Sequence, residues 1–106
     1  MLKATVLLLT LVSGGLAKDC AFFYTVTDDL RDSAATDARK HCRDDIGGTP
    51  EGNYNLNGVG STVNYCTICR SASGDVRDYE LQLNGAGPAS VRCGYFKKGT
   101  CGDFAA

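Results

Sequence analysis

At 106 residues the chain has room for one small domain, and a formal charge of −1 gives no electrostatic reason to expect nucleic acid or anionic membrane as partner. Six cysteines and a single histidine, His41, narrow the chemistry further. They point to a stapled scaffold rather than to a histidine-based acid–base centre.

The chain opens with Met1-Leu2-Lys3, an apolar run "ATVLLLTLV" and the small residues "SGGLA" before Lys18-Asp19. One cation, a short apolar stretch, and Gly15 and Ala17 at the minus-three and minus-one positions form the layout of a secretory signal peptide over residues 1–17. The run falls short of the ~20 apolar residues that a membrane span requires. The expectation is therefore export, extracellular localisation and a single disulfide-rich domain over residues 18–106, with no membrane insertion. Removing Lys3 with the leader takes the formal charge from −1 to −2. All six cysteines, Cys20, Cys42, Cys66, Cys69, Cys93 and Cys101, lie after the cleavage site. In an exported chain this short they read as three bridges, each contributing about 2 to 4 kcal/mol.

"CAFFYTVT", residues 20–27, is aromatic and β-branched with little polar alternation, so it reads as a central or covered strand. A helix is expected from Asp28 to Ile46, with Thr27 as N-cap, acids in the first turn, bases near the end and Gly47-Gly48 as the stop. Leu30, Ala34, Ala38, Cys42 and Ile46 recur every four residues as one narrow apolar stripe. Small side chains in the middle of that stripe let a helix lie close on a sheet. The segment from Gly47 to Gly60 is rich in glycine and asparagine and lacks a sustained period, so it reads as a long irregular connection. Three further strands follow, "STVNYCTICR", "VRDYELQL" and "SVRCGYF", with turns at "SASGD" and "NGAGPA". Tyr79, Leu81 and Leu83 alternate with polar residues in the second of these, and Val91, Cys93 and Tyr95 continue that logic in the third. The fold class is α+β: one helix packed on a mainly antiparallel sheet of about four strands, stapled by disulfides.

The pair Cys66-Thr67-Ile68-Cys69 resembles a redox or zinc motif only in its spacing. Redox chemistry wants the first cysteine at a helix N-terminus, whereas Thr62, Val63, Tyr65, Thr67 and Ile68 favour a strand. Residues three apart on a strand are separated by about 10 Å and point to opposite faces, so the two cannot bridge one another. They anchor two different staples. If Cys42 lies on the helix stripe and Cys93 shares a face with Val91 and Tyr95, those two form a bridge between helix and sheet. No metal site and no cofactor are expected.

His41 has Asp37 four residues before it near a helix end, which suits surface charge pairing better than catalysis. Glu51 and Glu80 are the only glutamates, one in the expected loop and one on the polar side of a strand. No catalytic residue is assigned. The expected binding residues are Tyr54 and Leu56, the bulky side chains of the Gly47–Gly60 segment, joined by Tyr95, Lys97 and Lys98 at the one local basic spot.

The leader, the short mature region, the six spaced cysteines and the Gly/Asn-rich segment resemble the small secreted cysteine-rich proteins of filamentous fungi, many of them regarded as candidate effectors. Some of these, like certain fungal killer toxins, have helices packed on an antiparallel sheet. The cysteine gaps of 21, 23, 2, 23 and 7 residues depart from defensin, Kazal and knottin patterns. The resemblance implies a secreted, non-enzymatic binding protein acting on a protein or glycan of a host or competitor. A toxin or antimicrobial protein, a small secreted hydrolase or nuclease, and a protease inhibitor are the alternatives. Growth inhibition, RNA degradation and saturable protease inhibition separate them.

Overall fold

The computed structural model describes residues 17–57, 62–95 and 100–105. Five strands, β1 (Lys18–Thr27), β2 (Thr49–Asn57), β3 (Thr62–Ala72), β4 (Tyr79–Leu83) and β5 (Gly87–Gly94), form one sheet in the order β2-β3-β1-β5-β4. Every neighbouring pair is antiparallel. A 3₁₀ turn at Asp28–Leu30 leads into helix α1 (Arg31–Asp44), and a short helix α2 (Cys101–Ala105) closes the chain. The α+β architecture is as expected, with five strands in place of about four.

β1 occupies the centre, which explains its continuous apolar run. Cys20, Phe22, Tyr24 and Val26 face α1, while Ala21 and the partly buried Phe23 face the other way. The larger cluster joins those β1 residues to Ala34, Ala38 and Cys42 of α1, to Cys69 of β3 and to Val91 of β5. Leu30, the first residue of the helical stripe, is 42% exposed, because the 3₁₀ turn takes it out of line with the α1 residues. Complete burial of a side chain such as Phe22 or Val91 is worth about 1.5 to 3 kcal/mol.

Polar groups inside the sheet are paired. The Tyr24 hydroxyl donates to Thr67 Oγ1 at 2.7 Å, and the Thr67 hydroxyl in turn donates to Asn53 Oδ1 at 2.8 Å. This relay crosses β1, β3 and β2. Burial pushes the Tyr24 phenol up to about 12, against the opposing effect of its hydrogen bond to Thr67. Tyr79 Oη, by contrast, is buried with no hydrogen-bond partner among the described residues.

The Gly47–Gly60 segment corrects the sequence reading, because Thr49–Asn57 is an edge strand and not an irregular connection. Pro50 lacks an N–H and is tolerated because β2 has a neighbour on one side only. Register shifts between Pro50 and Gly52 and between Asn55 and Asn57 break the period that would have revealed the strand. Gly47, at φ 69°, adopts the left-handed conformation that ends α1. Gly48 then passes so close to the Cys42–Cys69 bridge that a Cβ there would stand 2.4 Å from Cys69 Sγ and 2.9 Å from the Arg70 carbonyl oxygen. Gly58 to Gly60 lie outside the described residues.

The three bridges are Cys20–Cys93, Cys42–Cys69 and Cys66–Cys101. Cys66 and Cys69 do anchor different staples, one on each face of the sheet. The expected Cys42–Cys93 bridge is incorrect. The reason is lateral: Cys93 is the direct cross-strand partner of Cys20 on β5, whereas the end of α1 lies over β3, where Cys69 sits 5.7 Å away between Cα atoms. A scaffold with three disulfides suits an oxidising, extracellular setting. No helix among the described residues is long and apolar enough to cross a membrane.

Candidate binding face

The two faces of the sheet are covered unequally. α1 lies over one face; on the other, the shorter α2 sets Cys101 and Phe104 against Ala21, Cys66 and Ile68, with the partly buried Phe23 packed against that cluster. Its start is well defined. The Thr100 backbone N–H donates to Asp103 Oδ2 at 2.7 Å, and the Asp103 N–H donates to the Thr100 carbonyl at 3.0 Å. The Asp103 carboxylate supplies one half of a capping box, while the Asp103 N–H closes an ordinary turn, and the string "TCGD" was the sequence signal for a helix that the reading by periodicity passed over.

Beyond α2 the same face forms an open trough of about 610 Å³ that crosses all five strands. Its floor and walls include Phe23 and Thr25 of β1, Asn64 of β3 and Leu56 of β2. On the far side stand Pro88 and Ser90 of β5 and Glu80 of β4. The trough offers apolar surface in its floor, short neutral polar groups around it and one carboxylate. Thr25 Oγ1 donates to Asn64 Oδ1 at 2.7 Å, which fixes two of those polar side chains across β1 and β3. A smaller hollow of about 300 Å³ lies beside it, between Tyr54, Ile68 and Arg70 on the sheet and Thr100 to Gly102 at the start of α2.

Two of the expected binding residues meet here. Tyr54 is 48% exposed and borders the smaller hollow; Leu56, 44% exposed, forms a wall of the trough. They reach the surface from an edge strand rather than from a loop. Tyr95 is elsewhere. It follows Gly94, which pairs with Asp19, whereas Leu56 lies level with Tyr24 and Thr25, some five residues or roughly 17 Å further along β1. Tyr95 is 61% exposed and stacks under Lys18, whose Nζ lies 5.5 Å from the ring centroid and donates to the Val76 carbonyl at 2.8 Å. Lys97 and Lys98 lie outside the described residues. Phe23 and Thr25 were missed by the sequence reading because β1 is apolar on both faces and its alternation is hidden; Pro88 lies in the expected "NGAGPA" turn, and Ser90 is the first residue of the last expected strand.

His41 stands on α1, away from the trough. Its Nδ1 pairs with Asp45 and its Nε2 lies 3.6 Å from Asp37 Oδ2. Asp37 also accepts the Asn84 N–H at 2.9 Å, so this carboxylate ties the β4–β5 turn to the helix. Arg70 does comparable work at the other edge, reaching Asp19 at 2.9 Å and Glu51 at 2.8 Å, and so joins β1, β3 and β2. The pairing with Glu51 raises the guanidinium further above its ordinary range. Among the described residues no group of three or more histidine, cysteine, aspartate or glutamate side chains is placed to hold a metal ion. No protein-family model, curated protein or solved structure matches the chain, so the trough has no counterpart from which a role can be carried over.

Proposed function

We propose that the protein is a secreted, non-enzymatic binding protein of effector type, which engages a protein or glycan of a host or competitor through the outer face of its sheet. The observation that carries this reading is the open trough with Leu56 as a wall and Tyr54 beside it. Its chemistry is that of recognition: apolar area for contact, neutral hydroxyl and amide groups for orientation, and a stapled sheet that loses little freedom on binding. The leader over residues 1–17 and the three bridges support the extracellular placement.

The test uses immobilised oxidised protein, residues 18–106, against protein extracts and glycan arrays from candidate hosts and competitors. Leu56→Asp places a charge in the wall of the trough and is expected to abolish retention of the partner with melting unchanged. His41→Ala, on the opposite side, is expected to retain it. Retention by the Leu56 variant together with loss in the His41 variant would replace this reading with one centred on α1.

A further inference from the structure

The two edges of the sheet differ in how they are guarded. β2 carries Pro50 and two register shifts, devices that hinder another strand from adding to it. β4, "YELQL", has no proline, glycine or lysine and pairs with β5 without any irregularity. The hydrogen-bonding parity of β4 follows from Pro88. Opposite Gln82, Pro88 has no N–H to exchange, so Tyr79, Leu81 and Leu83 hold the bonds to β5. The backbone groups of Glu80 and Gln82 therefore point away from the sheet, and both residues are exposed.

The geometry points to a second copy of this chain as the occupant of that edge, joined β4 to β4 in antiparallel fashion about a two-fold axis at Leu81. This register is self-complementary. It sets each Glu80 opposite Gln82 of the other copy, so that the outward backbone groups exchange four hydrogen bonds and each side-chain amide faces a carboxylate. Tyr79 falls opposite Leu83, and the half-buried Leu81 meets its own copy on the α1 side of the sheet. The product is a continuous ten-stranded sheet in which the two troughs, each bordered by Glu80, lie next to each other on one face. The inference is independent of what the trough binds, because oligomeric state is read without any partner.

The experiment is sedimentation equilibrium of the oxidised mature protein, with amide hydrogen exchange measured over the same concentrations. Mass should rise towards the dimer with concentration, and the Glu80 and Gln82 amides should become protected in step. Gln82→Glu puts like charges opposite one another twice per dimer and should weaken association roughly tenfold without changing the melting temperature. Exchanging the two side chains, Glu80→Gln with Gln82→Glu, restores the opposed pairs and should restore association. A protein that remains monomeric up to roughly 1 mM overturns the proposal. So does a dimer that the Gln82 variant leaves intact, or one that the double exchange fails to rescue.

Discussion

The two faces of the sheet are built on the same strands and held by different means. On the inner face fourteen residues of α1 lie over Phe22, Tyr24 and Val91, and Cys42–Cys69 fastens the helix where it ends. On the outer face five residues of α2, fastened by Cys66–Cys101, cover Ala21 and Ile68 and leave the trough open. The first face has given up its surface for stability. The second has kept surface available, at the expense of a smaller core.

The sharpest way to break this comparison is to remove one staple from each face. The two bridges have similar sequence separations, 27 and 35 residues, so the chain-entropy contribution is nearly the same, about 3.5 to 4 kcal/mol for each. Any difference must come from what each bridge holds down. Cys42→Ala with Cys69→Ala frees α1 from the larger cluster and should abolish cooperative melting at 37 °C, read by circular dichroism. Cys66→Ala with Cys101→Ala should lower stability by about 4 kcal/mol and leave the melt cooperative. Equal losses would mean that the faces are equivalent.

A second test uses alkali. Tyr24 is neutral in the fold up to about 12, whereas in the unfolded chain it ionises near 10. Below pH 10 both states carry the proton and the contribution is complete. Above it the unfolded chain releases the proton first, so stability falls between pH 10 and pH 12, by about 2 to 3 kcal/mol in total. Denaturant melts across this range should show the fall in the natural protein and lose most of it in Tyr24→Phe.

Gly48→Ala probes the close approach at the end of α1. With 2.4 Å to Cys69 Sγ, the added methyl must displace the bridge or the strand, at a cost of about 1 to 3 kcal/mol in thermal stability. The smallest effect is of the opposite sign. Tyr79→Phe removes a buried hydroxyl that has no partner among the described residues, and should raise stability by about 1 kcal/mol in denaturant melts.

What could be read from the sequence divides along physical lines. α1 was legible because Ala34, Ala38 and Cys42 repeat at helical spacing and all three are buried. β1 was legible as a covered strand because a centre strand needs apolar residues on both faces. That same property concealed which of its residues form the trough. β2 was not legible, since Pro50, Gly52 and three asparagines are turn formers in isolation and become a strand only by adding to the edge of β3. The partner of Cys42 was out of reach for a related reason. It depends on where the helix lies across the strand order, and no local pattern encodes that position.

The order of the staples has a bearing on how the molecule meets proteases. Cys20–Cys93 spans most of the chain, Cys42–Cys69 falls inside it, and Cys66–Cys101 crosses both. Every peptide bond between Cys20 and Cys101 is thus enclosed by at least one bridge. A single cut anywhere in that stretch, including the dibasic Lys97-Lys98, separates no fragment from the rest. Outside cells, a nicked molecule keeps all its parts, and losing one requires a second cut or a reductant.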